Sequence, residues 1–363
     1  MSEISGKLSL LRDLAVRYSQ DAILLQRVSS IAWATGGASV YVNIARSNAE
    51  ASLLITGNNQ YLITNNIEAK RLEKEERLAI QGWDFRITPW FKKEITTQEL
   101  TKSLKLGADN YYPVALDLTG EIAHLRANLD LEEGKRFRIL GQLCAQAMDA
   151  TARSVHPGHT EYEIAGLLAG EAETRGVEAI VNLIAVDERI FNFRHPLPTD
   201  KKLDHYVMMV LCGRRGGLVC SLTRFVYFGK LPDEIRCKKE AVAYVDASLI
   251  AATRPGSTLG KVFKIAQEAY AAVGYADEWQ LHHQGGPAGY EPREYVATPD
   301  SKDTVITGQV YAWNPSITGS KSEDSVLIGE DGFEVLSTIP NWPMVKVDVA
   351  GQIIERPDIL IVN

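Results

Sequence analysis

The chain has 363 residues, of which 45% are hydrophobic, enough apolar material for two domains that each bury a core. The net charge is −7 and no Lys/Arg block alternates with aromatic residues, so we expect no nucleic-acid partner. The apolar runs are too short to span a bilayer and the first residues lack a signal-peptide core, so a protein without membrane contact, located in the cytoplasm, is predicted.

The first third of the sequence mixes helix and strand patterns. An amphipathic helix at the start is followed by strand-like segments at 51–57 and 59–65 and by a Lys/Glu-rich helix at 68–77. Short strands that alternate with helices indicate a compact α/β domain. We place it at 1–132.

The remainder contains a long helix within 128–155 and an internal repeat. Segments 150–176 and 247–274 both read helix, Pro-Gly-x-Thr, helix, Gly. In each, Pro-Gly ends the first helix, and Thr160 or Thr258 is placed to cap the second. Strand-like runs follow both copies, which predicts a pseudo-symmetric α+β domain with a cleft where its sheets meet.

Six motifs strengthen this interpretation. They are the paired Pro-Gly-x-Thr junctions, NFRHPLPTDKKL, SLTRFVYFG, HHQGG, WNPSITG and SEDSVLIGEDGFEVLS, in that order. The layout resembles the pita-bread superfamily of creatinase, Xaa-Pro aminopeptidase (aminopeptidase P), prolidase and methionine aminopeptidase, over nearly the whole chain. The resemblance implies an α+β fold: a pita-bread domain of duplicated helix, helix and antiparallel-sheet halves at 133–363, preceded by a creatinase-like α/β domain at 1–132.

The resemblance also raises the question of a metal centre. Metallopeptidases of this superfamily hold two divalent ions with two Asp, one His and two Glu. The matching positions here are Val210, Ser221, His283, Asn314 and Glu323. One carboxylate remains where the family has four, too little negative charge to compensate two divalent cations. We therefore expect no dinuclear metal centre and no cofactor.

The retained residues still suggest chemistry. Creatinase, which also lacks the metal ligands, carries its catalytic histidine in a His-Asn-Pro-Val segment, and the matching Arg-His-Pro-Leu nominates His195 as acid and base. We predict that His195, His283 and Glu323 are catalytic. Whether His282 or His283 faces the cleft stays open, and each histidine could instead stabilise its own turn. The residues predicted to bind substrate are His282, Arg224, Arg293, Asn314 and Ser221.

Three functional hypotheses follow. The first is a metal-independent hydrolase for a C–N bond of a small amide, amidino or short peptide substrate. The second is a non-catalytic pseudopeptidase that binds a peptide or partner in the old cleft. The third is a metal-dependent Xaa-Pro-type aminopeptidase with other ligands, such as Cys212, Cys220 or His205.

The superfamily resemblance also implies a homodimer. Segment 31–48 resembles a strand and turn from which Arg46 would reach the partner's site. The alternative for this segment is a buried strand of the N-terminal core.

Overall fold

The computed structural model describes residues 3–92 and 95–363, and the chain forms two compact units. One unit runs to Glu132 and includes Gly216–Leu218, and the other comprises Glu133–Arg215 and Val219–Asn363. No helix in the described part of the chain is long and apolar enough to cross a membrane.

The first unit is built on a six-stranded mixed sheet in the order β4-β3-β2-β1-β5-β6. The predicted strands at 51–57 and 59–65 correspond to β2 and β3. The helix predicted at 68–77 is present as α3, which is shorter than predicted. The helices are α1 (Glu3–Arg17), α2 (Val28–Thr35), α3 (Ala69–Lys74), α4 (Ile95–Thr101) and α5 (Thr119–Ala127). The strands are β1 (Ala22–Arg27), β2 (Asn48–Thr56), β3 (Gln60–Asn65), β4 (Asp84–Thr88), β5 (Leu106–Ala108) and β6 (Leu116–Asp117).

The prediction of a strand in segment 31–48 is wrong, because the segment is helix and loop up to Asn48, where β2 begins. Its first residues belong to α2, in which all residues are buried, and a loop follows. Gly36 ends α2 in the left-handed conformation, and the N–H of Gly37 donates to the carbonyl of Ala32, as at a glycine-terminated helix. A short helix that is buried on every side does not need an apolar face at helical period, so its sequence resembles that of a buried strand.

The second unit contains two four-stranded sheets, in the orders β18-β9-β8-β7 and β10-β11-β14-β15. Its helices are α6 (Leu131–Ser154), α7 (Glu161–Glu173), α8 (Glu188–Asn192), α9 (Asp233–Ala252) and α10 (Leu259–Ala272). Its strands are β7 (Glu178–Val186), β8 (Tyr206–Arg215), β9 (Leu218–Phe228), β10 (Gly285–Ala288), β11 (Val310–Trp313), β12 (Ser316–Ile317), β13 (Ser320–Lys321), β14 (Asp324–Ile328), β15 (Phe333–Val335), β16 (Met344–Val349), β17 (Gln352–Pro357) and β18 (Ile359–Val362).

The predicted repeat is confirmed at its helix starts. Thr160 caps α7 in a capping box with Glu163, and Thr258 accepts a hydrogen bond from the N–H of Lys261 at the start of α10. Such caps satisfy N–H groups that a helix leaves without internal partners. Each copy therefore delivers its second helix to a sheet in the same way.

The two sheets meet along β9 and the start of β14. The N–H of Thr223 donates to the carbonyl of Glu323 at 3.1 Å, and the N–H of Ser221 donates to Ser325 Oγ at 2.9 Å. These contacts align the two strands that carry several of the predicted site residues.

Candidate active site

The loop that carries His195 follows α8 and is held by a buried carboxylate. Glu161, at the start of α7, accepts hydrogen bonds from the N–H of Val186, from Arg189 Nε, and from both the N–H and the hydroxyl of Thr199, at 2.7–2.9 Å. Glu161 is fully buried, so these donors replace the water that its charge would otherwise require. They tie both ends of the His195 loop to the same helix terminus.

A second anchor lies beside His195. The Arg194 guanidinium pairs with Glu278, in the 3₁₀ turn before the two adjacent histidines, and donates to Thr318 Oγ1 at 3.0 Å. The loop from the first half of the repeat is thereby joined to elements of the second half. This contact brings His195 to the His282–His283 segment.

The His282–His283 segment is held in place by Gln284. The Gln284 amide accepts from the Tyr270 hydroxyl at 2.8 Å and donates to the carbonyl of His282 at 2.6 Å. Gly285 follows with φ +101°, and a Cβ there would lie 2.1 Å from the carbonyl oxygen of Ala312. Only glycine allows this close approach to β11, which explains the glycine after the two histidines.

The three histidines form one cluster. His282 Nε2 lies 3.1 Å from His195 Nε2, and His282 Nδ1 lies 3.2 Å from Ser316 Oγ. One ring nitrogen of each of His195, His282 and His283 lies within 4.8 Å of the others. His282 is buried, whereas His195 and His283 are exposed, so the latter two present the cluster to solvent.

Glu323 lies among cations. Its carboxylate accepts from Lys321 Nζ at 2.7 Å, from Arg293 Nη2 at 2.9 Å and from the Thr223 hydroxyl at 2.6 Å. The side chains of Glu323, Lys321 and Arg293 are all at least 91% buried. The carboxylate that the family would use as a metal ligand is therefore already neutralised by two side-chain cations.

Ser221 is part of the same surroundings. Arg293 Nη1 donates to Ser221 Oγ at 3.2 Å, and the Ser221 hydroxyl donates to Cys212 Sγ, also at 3.2 Å. Burial raises the pKa of the Cys212 thiol to about 11, so this thiol is protonated and is a poor nucleophile at neutral pH. The Ser221 hydroxyl thus lies on the side of the strand that faces Arg293 and Glu323.

Two of the predicted substrate-binding residues have other surroundings. Arg224 is 2% exposed and donates to Asp324 Oδ1 at 2.7 Å and to the carbonyls of Thr223 and Ser337. Its Nη1 and Nη2 groups are engaged in the core, because residue 224 points away from the face that carries Ser221 and Thr223. Asn314 is buried, and its Oδ1 has no hydrogen-bond partner among the described residues.

The cluster favours neutral imidazoles. Burial, followed by the positive charge of Lys321, lowers the pKa of His282 to about 2 and also lowers the pKa of His195. Burial and Arg293 lower the pKa of His283 to about 4. For Glu323, burial alone would raise the pKa, but Lys321 and Arg293 outweigh burial and hold it below its ordinary value. At neutral pH the ionised groups beside the imidazoles are thus one carboxylate and two cations.

These donors do not fit a dinuclear centre. Val210 offers no ligand atom, Ser221 and Asn314 offer neutral oxygens, and the Glu323 oxygens are already paired with cations. The three imidazoles, by contrast, have the donor type and spacing for one transition-metal ion. A proton on His282 Nδ1 shared with Ser316 would leave Nε2 free as a ligand.

The family model for metallopeptidase family M24 matches residues 135–333, more than half of the chain. The chain belongs to this family. All the residues of the cluster lie within the matched region, and the superfamily prediction is confirmed.

Comparison with individual proteins supports the same fold. An uncharacterized peptidase of Staphylococcus haemolyticus is 26% identical over 231 residues, which are 61% of this chain and 65% of that protein, slightly under two thirds. A Xaa-Pro dipeptidase from Bacillus anthracis has a TM-score of 0.79 at 17% identity and covers 99% of this chain and 100% of its own. The prolidase from Pyrococcus horikoshii OT3 has a TM-score of 0.78 at 19% identity, with 92% and 98% covered. The predicted α+β pita-bread fold with its N-terminal domain is confirmed.

Sequence reasoning missed three residues of this site. Lys321 was not proposed as a site residue, yet its ammonium pairs with the Glu323 carboxylate. Thr223 and Glu161 were not proposed, although both bind the elements that carry the site. For Lys321 a signal existed, since positions two apart on an extended segment face the same side. For Glu161 the sequence shows only an acidic first helical turn.

Proposed function

We propose that this chain is a hydrolase that cleaves a C–N bond of a small amide, amidino or short peptide-like substrate, without the dinuclear metal centre of its family. The observation that carries this proposal is the pairing of Glu323 with Lys321 and Arg293, next to three neutral imidazoles. Two fixed cations compensate the one retained carboxylate, and the histidines remain for proton transfer.

His195 is the acid and base in this mechanism. Its Nε2 faces His282, and Nδ1 has no protein partner among the described residues, so Nδ1 takes a proton from the attacking water. The water oxygen forms a bond to the carbonyl or amidino carbon. His195 then returns the proton to the nitrogen as the C–N bond breaks. His282, fixed by Ser316, orients the His195 ring.

The other predicted residues bind and orient. His283 is exposed beside His195 and provides a hydrogen-bonding group for the substrate. Glu323 acts on the histidines through its charge and holds Arg293, which in turn holds Ser221. A substrate contact through Asn314 would require its side chain, which is buried, to become accessible.

A substitution at His195 tests this mechanism. His195→Ala is compared with His205→Ala, at a second exposed histidine, whose Nδ1 lies 3.0 Å from the carbonyl oxygen of Phe228 and whose Nε2 lies 3.6 Å from Asp204 Oδ2. The substrates are Xaa-Pro dipeptides, N-acyl amino acids and creatine, and amine release is measured by mass spectrometry. We expect His195→Ala to lower turnover by about 10²- to 10⁴-fold with unchanged thermal unfolding, and His205→Ala to change neither. Undiminished turnover in His195→Ala would refute the assignment.

A second candidate is a hydrolase with a single metal ion held by His195, His282 and His283, favoured by their spacing. Such an ion would polarise the scissile group and acidify water. Elemental mass spectrometry on protein purified without chelator or nickel resin, before and after soaking in Zn²⁺ or Mn²⁺, separates the two candidates. About one ion per chain, lost in His282→Ala, would select the single-ion enzyme, and two ions per chain would overturn both candidates.

Two further predictions remain proposals: a cytoplasmic location, predicted from the short apolar runs and the first residues, and a homodimer, implied by the superfamily resemblance. Light scattering of the purified chain tests the dimer. If the chain binds peptides but turns over none of the panel, the pseudopeptidase hypothesis replaces the enzyme.

A further inference from the structure

We propose that the first unit contains a separate ligand site, a cavity on its six-stranded sheet that binds a neutral compound of the nucleoside class through a ring edge with an N–H beside a carbonyl. The cavity has a volume of about 830 Å³, and its lining residues lie between Gln26 and Val114. That volume is in the range of small-molecule sites. All the lining residues belong to the first unit, so this inference does not depend on the proposed function of the histidine cluster.

The cavity lies where the ladder between β1 and β2 opens. Pairing is regular up to Leu25, which pairs with Leu53, and the next pair is Arg27 with Asn48. Gln26 alone therefore lies opposite the whole stretch of β2 between these two pairs, and both Gln26 and that stretch line the cavity. Bulges of this kind redirect side chains and are frequent beside functional sites.

A buried carboxylate stabilises the opened ladder. The N–H groups of Gln26 and Arg27 donate to the two carboxylate oxygens of Asp109, at 2.7 and 3.1 Å. Asp109 is fully buried, and a buried carboxylate requires such donors in place of water. The backbone at the cavity is therefore held in its open arrangement without a ligand, which lowers the cost of ordering the site on binding.

The side chain of Gln26 gives the cavity its hydrogen-bonding character. Its Oε1 is buried and has no hydrogen-bond donor among the described residues. Folded proteins pair nearly all buried polar atoms, so an unpaired oxygen at a cavity wall indicates a donor that comes from a ligand. The same amide carries an NH₂ group, and an amide that binds with both ends matches an N–H beside a carbonyl on a heteroaromatic ring, as in base recognition.

The remaining walls suit a ring with apolar faces. Ile63 and Leu106 line the cavity and belong to the buried apolar cluster on the same sheet. Tyr111 and Tyr112 also line it, and the Tyr112 hydroxyl lies 3.0 Å from the hydroxyl of Thr101 on α4. Apolar and aromatic walls with a few polar groups are typical of sites that bind small molecules.

The charges at the cavity favour a neutral ligand. The charged residues among those that line it are Arg46, Glu50 and Lys102. Arg46 Nη1 lies 3.9 Å from Glu50 Oε1, so these two charges compensate each other. Lys102 is exposed, and its charge is screened by water and salt. The lining therefore holds little charge that a ligand would need to neutralise.

Matched pairs of nucleosides test the hydrogen bond to Gln26. Binding to the full chain is measured by titration calorimetry with uridine and 3-methyluridine, and with inosine and 1-methylinosine. Each methylation removes the ring N–H and keeps the carbonyls and the ribose. We expect uridine or inosine to bind about tenfold or more tightly than its methylated counterpart, because the buried Oε1 then stays without a donor. Equal affinities in both pairs, or no binding of any of the four probes, would overturn the proposal.

Hydrogen exchange locates the bound probe in the unchanged protein. With uridine or inosine present, mass spectrometry should show slower amide exchange in segments 48–52 and 110–114, which line the cavity. Slower exchange confined to segment 282–285 would place the probe at the histidine cluster and would refute the separate site.

A substitution at Gln26 separates a binding role from a structural one. Gln26→Met removes the unpaired oxygen at similar side-chain volume, so the unfolding temperature of the ligand-free protein should stay the same or rise, while affinity for the tighter probe should fall by about tenfold or more. Gln20→Met is the matched control, because Gln20 Nε2 donates to the carbonyl of Tyr18 outside the cavity, and it should leave affinity unchanged. A larger fall in unfolding temperature in Gln26→Met than in Gln20→Met would show that the Gln26 amide supports the fold, and would refute the site.

Discussion

Two adjacent carboxylates, Glu323 and Asp324, lie on opposite sides of the same chain segment and have different roles. Glu323 is paired with Lys321 and Arg293 beside two exposed histidines. Asp324 is paired with Arg224 and Arg356, which are both fully enclosed. Both are buried acids with two cationic partners, but only Glu323 lies next to groups that solvent reaches.

The difference lies in what each network connects. The Asp324 network continues through Arg356 to Asp246 on α9, and the Ser337 hydroxyl donates to Asp324 at 2.6 Å, so it links a sheet, a helix and a C-terminal strand. The Glu323 network ends at the histidine cluster. Similar ion pairs thus serve architecture on one side of the strand and the candidate site on the other.

The largest effect is expected at the centre of the architectural network. Arg356→Met leaves the buried Asp246 without its guanidinium partner and should lower the free energy of unfolding by about 3–5 kcal/mol. Arg236→Met, which breaks the more exposed pair with Asp358, should cost less than about 1 kcal/mol. Urea unfolding, followed by circular dichroism, measures both changes. Comparable losses of unfolding free energy would show that the buried network stabilises the fold no more than the more exposed pair does.

Neutralising each carboxylate compares the two sides directly. Asp324→Asn leaves the enclosed Arg224 without its charged partner and should lower the free energy of unfolding by about 3 kcal/mol. Glu323→Gln should cost about 1.5 kcal/mol, because water can approach the cations through the cleft. If Glu323→Gln is the more destabilising variant, solvent does not reach Lys321 and Arg293, and the proposed difference between the Glu323 and Asp324 networks is refuted.

The smallest effects are expected from the hydroxyl donors. Thr223→Val removes the hydrogen bond to Glu323 and Ser337→Ala removes the one to Asp324, at 2.6 Å each. Each change should lower the free energy of unfolding by about 1 kcal/mol, as measured by urea unfolding. Turnover should decrease only in Thr223→Val, because Ser337 lies in the other network. A loss of turnover in both variants would show that the Asp324 network also supports the candidate site, which contradicts the separation of the two networks.

Much of the fold was predictable because its signals are local. Pro-Gly breaks and Thr caps mark both copies of the repeat, and the long helix α6 places Phe137, Leu140, Cys144 and Met148 on one buried face at helical spacing. The strand prediction for segment 31–48 was wrong because the helix there is buried on all sides, so its apolar residues do not follow the helical spacing. Where burial is one-sided, the sequence pattern identifies the element, and where burial is complete it does not.

The candidate site was predictable in its residue types and less so in its partners. His195, His282, His283, Glu323 and Arg293 were nominated from motifs, and the structure brings them together. The role of Arg224 could not be separated from that of Arg293, because both are cations near a matched motif. Their partners depend on which face of a strand packs inward, a property of the assembled sheets.

By itself, the sequence determined the superfamily, the duplicated architecture, the lack of three of the family's five metal-ligand residues, and the retention of the histidines and Glu323. These follow from residue identity and short-range spacing. Only the tertiary structure decided that Lys321 and Arg293 neutralise Glu323 and that His195 contacts His282 across 87 positions. Such long-range pairs arise when two sheets and a loop pack together, so no local pattern specifies them.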